Sequence, residues 1–122
     1  MDGGLCLVDR DGRVPEGADF CLTVDTDDMA PYIRPGDRVY VSCRQDLEDM
    51  DAGLFYVDGR VLCRQYCEDY SGTLHLLCAN PLREDRNLAL SREKRGELIC
   101  LGKLLLAKHL PPPVYGKRPV VR

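Results

Sequence analysis

No stretch of this sequence approaches the roughly 20 consecutive apolar residues of a membrane-spanning helix. Its opening, "MDGGLCLVDRDG", has neither the basic start nor the apolar core of a secretory leader. A cytoplasmic chain without membrane association is therefore expected. A basic surplus is missing too: 17 Lys and Arg stand against 20 Asp and Glu, for a net charge of −3. That balance offers no footprint for nucleic-acid phosphates, so direct DNA binding by these residues is not expected. Histidine is scarce, with only His75 and His109. The one close cysteine pair, Cys63 and Cys67, lacks the tighter spacing of zinc sites. Neither a metal nor another cofactor is expected.

What is present suits one globular domain. The 122 residues are 44% hydrophobic and 30% charged, enough to bury about two-thirds of the unfolded surface without staples. The seven cysteines are odd in number and sit mostly in apolar runs such as "DFCLTV" and "ELICLG". In a reducing compartment they are expected to act as small hydrophobes. Cys63 and Cys67, four apart on one strand, would lie about 13 Å apart and too far for a disulfide. A thiol-based sensor built on them is one alternative function.

Along the chain, residues 1–17 are rich in Gly and Asp and read as an arm or linker, with "LCLV" its one strand-like piece. "ADFCLTV" places Phe20, Leu22 and Val24 at period two, a half-buried strand. "RPGD" is turn chemistry, and "RVYVSC" follows as a second strand. In "GLFYVDGRVLCRQY", two β-rich runs flank Asp58-Gly59, the dipeptide of a two-residue type I′ turn, so residues 53–57 and 60–66 should pair antiparallel. "GTLHLLCAN" reads as a strand, and "PLREDRNLALSREKRG" as a polar loop with at most one helical turn. "ELICLGKLLLAKHL" is expected as one or two strands, Gly102 and a β-branched start outweighing the helical preference of Leu and Ala. Three consecutive prolines make residues 111–122 a tail. Short strands at such spacing predict a mainly β domain over residues 18–110.

The order of these pieces resembles the carboxy-terminal domain of the LexA and phage-repressor family, the S24 peptidases, whose fold signal peptidases share. That family runs a strand into Gly-Asp-Ser-Met-x-Pro-x-Ile, then Gly-Asp and a strand. Here residues 26–33 read Thr-Asp-Asp-Met-Ala-Pro-Tyr-Ile, followed by Pro35-Gly36-Asp37 and "RVYV". The family's Asp-Gly-x-Val-x-x-Lys hairpin is matched by Asp58-Gly59-Arg60-Val61-Leu62-Cys63-Arg64, its Asn-Pro by Asn80-Pro81, and its closing strand by "CLGKLLL". The resemblance covers residues 18–108 and implies a LexA-like or signal-peptidase-like β domain.

The departures matter most for function. The family's serine nucleophile falls on Asp28 and its lysine base on Arg64. A Ser/Lys dyad needs a hydroxyl to attack and a neutral amine to take its proton. A guanidinium stays protonated at any working pH, and a carboxylate is a feeble nucleophile towards an amide. The resemblance thus implies a pseudo-peptidase without catalytic residues, Asp28 and Arg64 being degenerate dyad positions. Standing side by side, the two should form a bidentate ion pair; the alternative is that Asp28 is a solvated turn acid. Asp27 matches the acid before the family serine and is expected to bond turn amides. Met29 and Ile33 are expected in the core. A calcium loop is excluded by the missing Gly and Glu at its sixth and twelfth positions. No Ala-Gly of the kind such proteins cut precedes Asp28; Ala52-Gly53 falls where the resemblance expects a turn.

In the resembled repressors this domain follows a helix-turn-helix and dimerises it. The chain is therefore expected to be a regulatory, self-associating domain, a homodimer of a prokaryotic or phage repressor-type regulator. DNA contact would belong to a segment these residues do not contain. The apolar "LICLGKLLLAKHL" is a candidate association surface if it is not core. The other class of function is an active self-cleaving or signal-peptidase-like enzyme. It would have to draw on Ser42, Ser71 or Ser91 with Lys94, Lys103 or Lys108.

Overall fold

The computed structural model describes the backbone of residues 5–7 and, in full, residues 14–106 and 110–111. The mainly β expectation holds. Among the described residues eight strands form one sheet: β1 Leu5–Leu7, β2 Phe20–Thr23, β3 Arg38–Ser42, β4 Ala52–Val57, β5 Arg60–Glu68, β6 Leu74–Leu77, β7 Leu88–Leu90 and β8 Ile99–Leu105. Their order is β1-β2-β3-β8-β4-β5-β6-β7, and every neighbouring pair is antiparallel.

Local chemistry sets the turns. Asp58 and Gly59 both take positive φ, 54° and 76°, as a type I′ turn requires, and the β4–β5 register closes tightly on Val57 opposite Arg60. In Arg34–Asp37 the Asp37 amide donates to the Arg34 carbonyl at 2.9 Å, with Pro35 second and Gly36 third at φ 95°. That is a type II turn, whose third position favours glycine.

β4 is the hinge of the packing. Its burial is nearly continuous, as in a strand covered on both faces. Ala52 and Leu54 join one apolar cluster with Met29, Ile33, Val41 and Leu104, while Phe55 joins a second with Leu74, Leu76 and Leu90. Met29 and Ile33 are core, as expected. Phe20 and Leu22 are half-buried and pack against the first cluster, which contains Val24.

Several expectations need correction. The segment after Asn80 is not a loop with one turn. It forms two 3₁₀ helices, η1 Pro81–Arg86 and η2 Arg92–Glu97, with β7 between them. The Asn80 side chain accepts from the Leu82 amide, and proline stands at the start of η1; these signals act locally and start a turn without sustaining a helix. Ala52-Gly53 opens β4 instead of forming a turn. Cys21 is disulfide-bonded and lies opposite Cys6 in the β1–β2 register, so it is no free thiol. Leu5–Leu7, within the stretch expected to be an arm or linker, enters the sheet as β1. Residues 107–109 and the tail beyond Pro111 lie outside the described residues. The terminal apolar segment is one strand, flanked on both sides by β3 and β4. Its backbone edges are occupied and Leu104 is 3% exposed; of its large side chains only Ile99 stands out, at 52%.

Gly102 marks a close approach within this sheet. A Cβ there would run into the Ser42 carbonyl and the Val41 side chain, and a backbone atom cannot rotate away. Gly102→Ala is expected to destabilise by about 1–3 kcal/mol. Urea denaturation checks this; an unchanged midpoint would mean that β3 and β8 separate at no cost.

Candidate functional site

The site forms where the turn after β2 meets the start of β5 and the loop after β6. Val24 extends the β2–β3 ladder, donating to the Asp37 carbonyl and accepting from the Gly36 amide, at 2.8 and 2.7 Å. The chain then turns, and Met29 and Ile33 plunge into the core, which turns Asp28 inward with them; it is 5% exposed. Asn80 clamps the turn from the other side. Its amide donates to the Asp28 carbonyl at 3.0 Å, and its side-chain Nδ2 donates to the Asp27 carbonyl at 2.8 Å.

Arg64 lies on β5 opposite Gly53. It is 3% exposed. Its Nη1 lies 3.1 Å from Asp28 Oδ2, so the two positions that the resemblance aligns with a serine and a lysine stand side by side. The pair is not the bidentate fork expected. The other carboxylate oxygen, Oδ1, accepts from Arg86 Nη1 at 2.6 Å. Arg64 Nη1 also donates to the carbonyl of Cys63 at 2.8 Å, and Nη2 donates weakly to that of Arg86 at 3.5 Å. One buried carboxylate thus holds two guanidiniums, one per oxygen.

The bidentate pair forms next door. Arg83 donates through Nε and Nη2 to the two oxygens of Asp27, each at 2.9 Å. Asp27 therefore bonds a guanidinium through its side chain, where turn amides were expected. The hydrogen bond from Arg83 holds its carboxyl below the ordinary aspartate value. Arg83 and Arg86 were not legible as site residues, because they sit in a run that reads as a polar loop. The available signal was their spacing of three on η1, directly after Asn80-Pro81, which puts both guanidiniums over the turn.

Beside the cluster lies a slot of about 70 Å³, lined by Leu22, Val24, Thr26, Asp28, Met29, Val61, Cys63 and Arg64, among others. No lysine lines it. The Thr26 hydroxyl accepts from the Asp28 amide at 3.4 Å. Arg64 Nε is a buried donor without a partner among the described residues, and the slot has room for the ordered water that such a donor ordinarily recruits.

The other candidates scatter. Ser42 faces Lys103 across β3 and β8, but Lys103 Nζ is ion-paired with Asp51 at 3.5 Å. The Ser71 hydroxyl donates to Asp69 at 2.6 Å in a turn that also gathers His75 Nε2, 2.9 Å from the same carboxylate. Ser91 precedes η2, which carries Lys94, and Lys108 lies outside the described residues. Cys63 is a half-buried thiol and Cys67 is buried. Burial pushes the Cys63 thiol up to about 11, against the opposing pull of Arg64, and likewise raises Cys78 to about 11. Both are thus kept protonated and unreactive near neutrality.

A family model described as Peptidase S24-like matches residues 5–104. Among curated proteins no match is found.

Two predictions follow from the cluster. Asp28→Ala strands two guanidiniums, one of them fully buried, and is expected to cost about 3–5 kcal/mol. Asp27→Ala removes a half-exposed pair and should cost no more than about 1 kcal/mol. Guanidinium unfolding of both variants compares them; equal losses would mean the Asp28 pair is not stabilised by burial. The second concerns alkali. Cys63 and Cys78 ionise in the unfolded chain near the ordinary 9.0, but in the folded protein only near 11. The folded state therefore binds more protons across that window, and stability is full below pH 9 and declines as pH rises towards 11. Midpoints measured across the window check it, with Cys63→Ala flattening the decline.

Proposed function

The chain belongs to the Peptidase S24-like family, and on that premise we propose that it is a catalytically silent member. It serves as the regulatory and self-associating domain of a repressor-type transcriptional regulator whose helix-turn-helix lies outside these residues. The observation that carries the reading is the 3.1 Å contact between Asp28 and Arg64, at the positions where the resemblance places nucleophile and base. Arg64 cannot accept a proton, and a carboxylate already shared by two guanidiniums has no proton to donate and little electron density to spare for attack. Asp28, with Arg64 on one oxygen and Arg86 on the other, ties three segments of chain together in place of a reaction.

Self-association follows from the same resemblance. In a two-fold repressor this domain brings two recognition helices into register with two half-sites. The net charge of −3 supports assigning DNA contact to other residues, since it supplies no counterion-releasing surface.

The test is incubation of the purified wild-type chain beside the double variant Asp28→Ser/Arg64→Lys, from neutral to alkaline pH, with mass spectrometry of every fragment. The wild type is expected to remain intact at all pH values. Cleavage by the double variant alone would show a peptidase geometry disabled only at these two positions. Self-cleavage by the wild type, abolished by Asp28→Ala, would overturn the reading.

A further inference from the structure

We propose that Cys6 and Cys21 form a reversible redox latch that fastens β1 to the edge of the sheet. Cys21 is disulfide-bonded, whereas Cys43, Cys63, Cys67, Cys78 and Cys100 are not. The chain's one remaining cysteine is Cys6, and the register sets it directly opposite Cys21, between the pairs Leu5–Leu22 and Leu7–Phe20. Opposed residues of antiparallel strands project from the same face with their Cα atoms about 4.5–5.5 Å apart, inside the span of about 4.4–6.8 Å that a disulfide bridges. Strand pairing alone therefore brings the two residues within bonding reach.

Placement makes this bond a latch instead of a core staple. β1 is the end of the sheet with β2 as its one strand neighbour, and it is only three residues long. The hydrogen bonds of so short a strand roughly balance the backbone freedom they cost, so the covalent tie decides whether β1 stays docked. Closing a loop of about 15 residues favours docking on the order of a hundredfold. β2 keeps its place when the bond opens, because it also pairs with β3 from Phe20 to Thr23, and Phe20 and Leu22 pack against the first apolar cluster. A small dithiol suffices to open the latch. Its two sulfurs close into a cyclic disulfide, while the Cys6–Cys21 bond takes up the two electrons and two protons and becomes two thiols. In the reducing compartment expected for this chain, such bonds are made and broken as signals more than kept as staples. With the latch open, the outer edge of β2 is released and the amino-terminal stretch is anchored at Asp19, whose amide donates to the Val41 carbonyl at 2.8 Å, instead of at β1. In a regulator of the kind proposed above this puts an oxidation signal on the segment leading into the domain; the latch itself does not depend on that reading.

Hydrogen exchange of the full chain, read by mass spectrometry, tests this after oxidation with oxidised glutathione and after reduction with dithiothreitol. A peptide pair joined through Cys6 and Cys21 is expected in the oxidised digest and absent from the reduced one. On reduction, exchange over residues 5–7 should quicken about a hundredfold, exchange over β4 and β5 should stay unchanged, and re-oxidation should restore the slow rates. Cys6→Ser and Cys6→Ala should exchange like the reduced wild type under both conditions, and Cys43→Ser should keep the full response. An oxidised chain without the joined peptide, or one whose residues 5–7 exchange alike in both states, overturns the latch. Reduction that quickens exchange throughout β4 and β5 overturns it too, because the bond then staples the whole fold. None of these outcomes bears on whether the chain cleaves itself or associates, so the latch and the function proposed above stand or fall separately.

Discussion

The fold around the site depends on one interaction, the burial of the Asp28 carboxylate against two guanidiniums. Taking charges out of water is costly, and only close, well-hydrogen-bonded partners offset that cost. Asp28 has both oxygens engaged, one with Arg64 and one with Arg86. These contacts join the turn after β2, the β4–β5 hairpin and η1, three segments far apart in sequence. Without them each segment would still have its local structure, but nothing would fix their mutual placement so specifically.

The surrounding contacts make that placement over-determined. Asn80 reaches the turn through both its backbone and its side chain, and Arg83 reaches it through Asp27. Met29 enters the core from the same turn, and its sulfur accepts from the Ala79 amide at 3.4 Å. The polar layer and the apolar layer of the turn thus hold the same partner loop. That redundancy separates the two acids energetically. Asp27 is half-exposed and water can replace its partner, whereas Asp28 has none to fall back on.

β4 plays the corresponding role for the apolar structure. It feeds both clusters, so its central stretch has no free face, and only at Tyr56 does its burial lapse. The neighbours of Tyr56 on both adjoining strands lapse with it. A surface that opens on three adjacent strands at one register level belongs to the sheet, not to any single strand.

Much of the fold was legible locally. Asp58-Gly59 named its hairpin because few residues tolerate two successive positive φ angles. The alternation of "RVYVS" and the mixed Pro-Gly turn before it followed from backbone preferences alone. Even the meeting of Asp28 and Arg64 could be anticipated, because two changed positions of opposite charge in a recognisable motif imply their pairing. The stoichiometry could not be anticipated. Whether Asp28 takes one arginine in bidentate fashion or shares itself between two depends on where η1 lies, and a 3₁₀ helix carries no long periodicity to betray its position. Likewise "ELICLGKLLLAKHL" reads as apolar in either a core or a surface strand; only its seat between β3 and β4 decides that Leu104 is buried and Ile99 is not. Backbone propensity acts between neighbours in sequence and so was determined by sequence alone. Burial and charge sharing act between neighbours in space, and the tertiary structure alone decided them.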